Sequence, residues 1–314
     1  LDLSIIIINW NVADLLSECL DSIYRSPVCI HGADGSRHGS GPDTEVVVVD
    51  SASTDNSVSM LRQRFPWVRL IACEENIGFV QGNNLGVEQA SGDLILLLNP
   101  DTEVMDDALP RLVDVIRSDD TVGVAGPHTH NPDGSHQSTR RRFPDLLTAI
   151  FESPWLENIA PHRLIRRYRV EDRPDDGTYP VDWVQGSALM AQRSIWQEIG
   201  GLDERYIMYA EEMDWCKRAT LAGWQVLYVG DAHIIHYGGQ SSAQVKARSH
   251  VHYQHSKLRY FRKFHGWLPA LILRVVLVSL YSSQVLLEGS KWLIGHKRSL
   301  RAERVGAYRV VLRS

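Results

Sequence analysis

The sequence predicts an α/β fold, a mainly parallel sheet flanked by helices, with a helical C-terminal extension. Two observations carry the first part. Aliphatic runs recur at SIIIIN (4–9), EVVVVD (45–50) and LILLLN (94–99), and uninterrupted apolar runs of this length are strands buried on both faces. Segments with helical spacing separate them, and strand–helix alternation of this kind builds right-handed βαβ units. A third observation concerns the extension: the longest apolar run, 267–287, sits inside a basic tail.

Taken in order, LDLSIIIINW (1–10) is the first strand and stops at Asn9-Trp10-Asn11. ADLLSECLDSIYRS (13–26) places Leu15, Leu16, Leu20 and Ile23 on one helical face. The Gly/Ser-rich stretch 31–44 reads as a surface loop. After the strand 45–50, a helix begins with Ser53 or Thr54 as its cap and Asp55 in its first turn. VRLIAC (68–73) is a short strand, and NIGFVQGNNLGVEQA (76–90) a turn leading into a helix. The strand 94–98 follows, then a helix over 107–118 and a strand over 121–127. From His128 to Asp182 the pattern weakens into a loop-rich insertion with one or two short helices. A strand over 182–192, a helix over 193–204 stopped at Gly200-Gly201, a helix over 209–224, a strand at 224–230 and a final turn at 232–239 complete the domain.

Composition excludes several classes. With 44% hydrophobic and 23% charged residues in 314, the chain is an ordinary globular protein, neither collagen-like, disordered nor disulfide-rich. Four scattered cysteines with no CxxC pair and no Cys/His cluster argue against structural zinc and suit a reducing compartment. The N-terminus runs into strand pattern with no basic segment, so no signal peptide is expected; the opening Leu1 suggests a trimmed initiator or leader. No GxGxxG follows the first strand and no GxxxxGK[ST] occurs, which removes nicotinamide enzymes and P-loop NTPases.

The polar residues Asn9, Asp50, Asn76 and Asp101 all fall just after strands, and a parallel sheet gathers such residues on one edge, where open α/β sheets bind ligands. Asp101, two residues after Asn99, suits a divalent ion bridging a diphosphate; it equally suits the cap of a helix beginning near Asp106. Glu211, Glu212 and Asp214 either favour a helix dipole or include a general base whose pKa a like-charged neighbour raises. His236 reads as a core histidine or a metal ligand. His233 and His236 lack HxH or HxxxH spacing, so zinc catalysis is not expected.

Together, SIIIINWN (4–11), VVVVDSASTDNS (46–57), ENIGFVQGNNLG (75–86), LLLNPDTE (96–103), QGSALMAQRSIWQEIGGLDERYIMYAEEMDWCKRATLAGW (185–224) and HIIHYGGQS (233–241) resemble an inverting family 2 glycosyltransferase with the Rossmann-like GT-A fold, of the bacterial rhamnosyltransferase-like branch. The resemblance spans most of residues 1–241, implying a GT-A catalytic domain there, with a nucleotide-sugar-binding half over 1–104 and an acceptor half over 105–241. It implies that Asp50 contacts the nucleotide base and that Asn99-Pro100-Asp101 stands for the metal- and diphosphate-binding motif, with its first Asp replaced by Asn. Asp101 is then the metal ligand for Mg2+ or Mn2+, Asn99 a weaker ligand or sugar contact, and His236 a metal or diphosphate contact. Asn9, Asn11, Ser53, Asn76, Gly78, Asn83, Trp183 and Gly186 complete the implied nucleotide-sugar site. The base position falls on Glu212, with Glu211 and Asp214 in support; the choice between Glu211 and Glu212 stays open. The implied reaction is a single displacement from a dTDP-, UDP- or GDP-linked donor, dTDP-L-rhamnose first, onto a glycan or lipid-linked acceptor in cell-surface polysaccharide assembly. A catalytically idle glycosyltransferase-like scaffold at the membrane is the alternative of another class.

Residues 242–314 form the tail. From Lys246 onward it holds 14 Lys/Arg and two acids, which points to a polyanionic surface. Because the basic residues flank an apolar run, an anionic membrane leaflet fits better than nucleic acid. Arg274 near the middle of that run disfavours a full span. An interfacial helix is expected, or a helix pair packing on the catalytic domain or forming a homodimer, with Trp267 and Trp292 as interface anchors. The expected location is cytoplasmic, peripheral at the inner face of the cell membrane.

Overall fold

A computed structural model describes residues 1–153, 155–238, 246–295 and 297–313. The chain forms two compact units: Leu1–Phe143, Arg166–Arg205 and Glu211–Ala243 in the first, and Pro144–Ile165, Tyr206–Ala210 and Gln244–Ser314 in the second.

The first unit opens with β1 (Leu3–Asn9), α1 (Ala13–Arg25), β2 (Cys29–His31), β3 (Arg37–His38), β4 (Asp43–Asp50), α2 (Ser57–Arg64), β5 (Arg69–Ala72), α3 (Gly78–Gln89), β6 (Leu94–Leu98), β7 (Thr102–Val104), α4 (Ala108–Arg117), β8 (Val122–His130), β9 (His136–Gln137) and β10 (Arg140–Arg141). The insertion carries α5 (Leu146–Phe151) and α6 (His162–Tyr168). Then come β11 (Thr178–Val181), β12 (Trp183–Val184), β13 (Ala188–Gln192), α7 (Arg193–Ile199), α8 (Glu211–Leu221) and β14 (Gln225–His236).

The main sheet runs β11-β14-β8-β13-β6-β1-β4-β2-β3, with β5 on β4, β7 on β14 and β9 on β8. Its first half is parallel: β1 lies between β4 and β6, and β5 extends β4. The second half is mixed, because β13 is antiparallel to both β6 and β8 while β14 runs parallel to β8. Every residue of β1 and β6 is buried, which is why these strands read as unbroken aliphatic runs. Each such Ile or Leu contributes about 1.5–3 kcal/mol by leaving water. The glycines of α3 let it lie close on β1. A Cβ at Gly86 would come within 2.3 Å of the Ile6 side chain, and one at Gly82 within 3.0 Å of Ile8.

The structure corrects several local expectations. α2 begins at Ser57, not at Ser53 or Thr54, because the Asp55 carboxylate accepts from the Ser57 amide and Ser53 is spent elsewhere. The Gly/Ser-rich stretch contains the β2–β3 hairpin. Residues 182–192 form two strands, β12 and β13, that belong to different sheets. The strand expected at 224–230 continues through most of the expected turn at 232–239 as one strand, β14, with a register break between Val229 and His233. Asp101 does not cap a helix: β7 separates it from α4, which starts after Asp107.

In the second unit, α9 (Lys246–Phe264), α10 (Trp267–Leu293) and α11 (Arg298–Arg313) pack together, and α5 packs on α10. The apolar run is thus one helix of 27 residues. Ala270, Leu273, Leu277, Tyr281 and Glu288 form its buried seam, and Glu288 is ion-paired with Arg301 of α11.

Candidate active site

Residues at the carboxyl ends of β1, β4 and β6 form a continuous polar edge. Parallel pairing puts Asn9 opposite Asp50, and the Asn9 amide donates to Asp50 Oδ2 (2.7 Å) and Ser53 Oγ (3.1 Å). Asp50 Oδ1 accepts from the Ser53 amide (2.9 Å). The Asn11 amide donates to Ser53 Oγ (3.0 Å), and Asn11 Oδ1 accepts from the Thr54 amide (2.7 Å). One strand further, Ser51 Oγ donates to Asn76 Oδ1 (3.0 Å) and accepts from the Ile77 amide (2.9 Å), while Asn76 Oδ1 also holds the Gly78 amide (2.9 Å). Gly78 has φ +77°, which suits glycine in the turn that opens α3. Asn11 and Ala52 take left-handed backbone, φ 53° and 57°. Such strain persists where surrounding bonds over-determine it, and it gathers at ligand sites.

At the end of β6, the Asn99 amide is held by the Ser187 carbonyl (3.0 Å) and its carbonyl accepts from Thr102 Oγ1 (2.7 Å). The antiparallel β7–β14 pair then brings His236 opposite Thr102. His236 Nε2 lies 3.4 Å from Asp101 Oδ1 and 3.4 Å from the Asn99 amide nitrogen. The other ring nitrogen, Nδ1, is 2.6 Å from Gln137 Oε1. An amide oxygen only accepts, so Nδ1 carries the proton and the Nε2 lone pair faces Asp101. An imidazole nitrogen beside a carboxylate oxygen, with its second nitrogen fixed by an amide, is the donor arrangement of a cation site. These residues therefore fit a divalent ion.

The acidic group opens α8. Glu211 and Asp214 are buried, and the Oε2 atoms of Glu211 and Glu212 are both closed off from solvent without a hydrogen-bond partner. Burial pushes the Glu211 carboxyl well above the usual range, and the Glu212 charge adds to the effect. Burial raises Glu212 as well. Glu212 packs against Gly186: a Cβ there would meet its side chain at 3.7 Å. Gly186 precedes Ser187, the residue that holds Asn99, so the β12–β13 turn ties Glu212 to the end of β6. Tyr209 and Ala210, the two residues before α8, both have left-handed backbone, φ 71° and 64°.

Other expected residues are bonded within the surrounding scaffold. Asp214 is fully buried and bonds Arg218 Nε (2.8 Å), whose guanidinium also donates to the Ile199 and Gly201 carbonyls at the end of α7. Asn83 donates to the Phe79 carbonyl within α3 (2.9 Å), and the buried Trp183 indole donates to the Arg142 carbonyl (3.1 Å). Sequence reasoning missed Ser51, Gln137 and Ser187. Each lies in an aperiodic stretch, and its contribution depends on a partner distant in the chain. It also missed that Cys29, His31 and Asp43 come together, with ligand atoms within 4.8 Å of one another. All four cysteines are free thiols.

Comparison with known proteins places this geometry. Residues 4–189 match the family model described as Glycosyl transferase family 2. The N-acetylglucosaminyl-diphospho-decaprenol L-rhamnosyltransferase of Mycobacterium tuberculosis is 30% identical over 242 residues, covering 72% of this chain and 77% of the relative. Among solved structures, the mannosyltransferase PcManGT from Pyrobaculum calidifontis, in complex with GDP-Man and Mn2+, aligns with TM-score 0.52 and 18% identity over 99% of this chain and 86% of that one. GalNAc-T7 with UDP, GalNAc and Mn2+ aligns with TM-score 0.55 and 16% identity over 75% of this chain, which spans 44% of GalNAc-T7. The family match and the rhamnosyltransferase similarity, on a GT-A-like sheet, show that this chain belongs to glycosyl transferase family 2 and is a glycosyltransferase.

Proposed function

We propose that this enzyme transfers L-rhamnose from dTDP-L-rhamnose to a lipid-linked acceptor with inversion at the anomeric carbon. The observation that carries the mechanism is the pairing of the Asp101–His236 donor set with a buried, raised-pKa carboxylate, both anchored on the β6 end through Asn99 and Ser187. The relative's L-rhamnosyltransferase name supports the sugar and the lipid-linked acceptor.

In this reading Asp50, pre-oriented by Asn9 and the Ser53 amide, receives the nucleoside. Asp101 and His236, with Asn99 beside them, would hold the Mg2+ or Mn2+ ion. Bound there, the cation neutralises charge growing on the leaving nucleoside diphosphate. The acceptor oxygen forms its bond to the anomeric carbon as the bond to the diphosphate oxygen breaks, and Glu212 takes the acceptor proton. A raised pKa strengthens Glu212 as a base near neutral pH. The Glu212 charge acts in turn on Glu211, whose own carboxyl is held well above the usual range by burial.

The tail fits an anionic membrane surface. Trp267, Leu268, Leu271, Ile272, Val275 and Val278 of α10 are exposed, and they lie on the side away from its buried seam. On a helical wheel Arg274 falls at the border of this stripe, where an interfacial helix lets it reach the headgroups. α10 is long and apolar enough to cross a membrane.

Release of dTDP from dTDP-L-rhamnose with a polyprenyl-diphosphate-linked acceptor, with and without chelator, tests the reading. Acceptor-dependent release that stops on chelation is expected. Preference for a UDP- or GDP-sugar, or release indifferent to chelator, would overturn it.

A further inference from the structure

A second group of potential metal ligands lies away from Asp101. His128 and His130 are two apart on β8 and so share a face. His233 resumes the β8–β14 ladder after its register break and pairs with His128. The ligand nitrogens of His128, His130 and His233 all lie within 4.8 Å of one another, and His130 Nε2 is 3.0 Å from His233 Nδ1. Two imidazole nitrogens on one zinc ion, each at about 2.0–2.1 Å, stand about that far apart. His136 on β9 joins the rim, its Nδ1 being 3.2 Å from His128 Nε2. His128 is buried while His130 and His233 are partly exposed, which leaves a way in from solvent.

The tautomer of His128 is fixed. The Tyr228 hydroxyl donates to the Asp175 carbonyl (2.7 Å), so its oxygen accepts from His128 Nδ1, to which it is also bonded. Nε2 therefore carries the lone pair, beside His136 Nδ1 at 3.2 Å. The nearby Arg140 guanidinium, 4.5 Å from the Tyr228 ring, is neutralised by Asp175. The Cys29–His31–Asp43 group differs on this point: Arg37 donates to both Cys29 Sγ and Asp43, supplying the positive charge from within.

Strand alternation puts His233 and His236 on opposite faces of β14. The two groups are thus distinct in place and in chemistry, imidazoles on one face and carboxylate, amide and imidazole on the other. We propose that His128, His130 and His233 bind one transition-metal ion of the zinc class, separate from the Asp101–His236 site, which staples β8 to β14 where their ladder breaks. Three imidazole ligands suit Zn2+, Co2+ or Ni2+ and discriminate against Mg2+. The HxH spacing at 128–130, overlooked when only His233 and His236 were weighed, is the sequence trace of this site.

The test uses the full chain, stripped with chelator and titrated with Zn2+ against a chromophoric chelator. Parallel Co2+ titration is read by its visible absorption. The expected result is one zinc per chain, bound equally by wild type and Asp101→Ala, with His130→Gln and His233→Gln weaker by at least about tenfold. X-ray absorption of the zinc-loaded wild type should show imidazole ligands, and this needs no variant to fold. Zinc should also raise the melting temperature of wild type but not of His233→Gln. Unchanged affinity in both His variants, loss of binding in Asp101→Ala, or an oxygen-only shell would overturn the proposal. Because zinc binding and ligand type are read without sugar transfer, failure here is distinguishable from failure of the rhamnosyl transfer reading.

Discussion

The β1–β4 edge and the start of α8 treat their carboxylates in opposite ways. At the edge, Asp50 is buried but both its oxygens are engaged, by Asn9 and by the Ser53 amide. At α8, Glu211 and Glu212 each keep an oxygen buried without a partner. The first arrangement holds a carboxylate still, with both oxygens bonded, which suits recognition. The second makes ionisation costly, which suits proton transfer. In the proposed mechanism the difference separates a binding region from a chemical one, and substitutions should separate them too.

Glu212→Gln should have the largest effect on turnover, lowering kcat by about 10²–10⁴-fold while metal-dependent nucleoside diphosphate binding survives. In the parent enzyme the acid limb of the kcat/KM profile should lie above the ordinary Glu range, because burial raises Glu212. A limb at the ordinary position would break the comparison. Asp101→Ala should act on the other side: weaker metal-dependent donor binding, measured by calorimetry, together with a fall in kcat/KM of about 10²-fold or more, as expected for loss of a cation worth several kcal/mol.

Gln137→Ala should cost about 10–100-fold in metal affinity, because Gln137 fixes the tautomer of His236 without touching the ion. Metal titration of donor binding measures it, and an unchanged midpoint would show that the tautomer is set elsewhere. Glu211→Gln should change stability more than chemistry. Burial raises its pKa, so the folded chain retains a proton that the unfolded chain releases. The stability from that proton is full below the ordinary Glu range and is lost as pH rises through the folded pKa. The variant should therefore be more stable than the parent at pH 8 by on the order of 1 kcal/mol, with the advantage gone at pH 4. Denaturant melts at both pH values read this directly.

Outside the catalytic unit the smallest effect is expected. Val275→Glu on the exposed face of α10 should weaken binding to anionic vesicles by several-fold and leave transfer to a soluble acceptor unchanged. Vesicle sedimentation checks it.

Legibility in the sequence followed the range of the interaction. β1, β4 and β6 were readable because burial on both faces leaves only aliphatic residues. Asn9, Asp50, Asn76 and Asp101 were readable because strand ends are marked by abrupt polarity. The start of α2 was misread because Ser53, a good cap by residue type, is bound to Asn9 and Asn11 across the sheet. β14 was ended at Gly230 because Gly230-Asp231 resembles a turn, whereas the strand passes through with a shift of register. Asp214 looked like part of the acidic chemistry, yet it holds Arg218 against the end of α7. Gln137 had no local pattern at all, and only the β8–β9–β14 pairing brings it to His236.

The most direct measurement compares Glu212→Gln with Asp101→Ala in one experiment: dTDP binding by calorimetry with and without Mn2+, and rhamnosyl transfer on the same samples. The expected result is Mn2+-dependent dTDP binding within about twofold of wild type in Glu212→Gln, with transfer down at least about 10²-fold, and loss of the Mn2+ dependence in Asp101→Ala. Transfer at the wild-type rate in Glu212→Gln, or unchanged Mn2+-dependent binding in Asp101→Ala, would contradict the division of labour between the two regions.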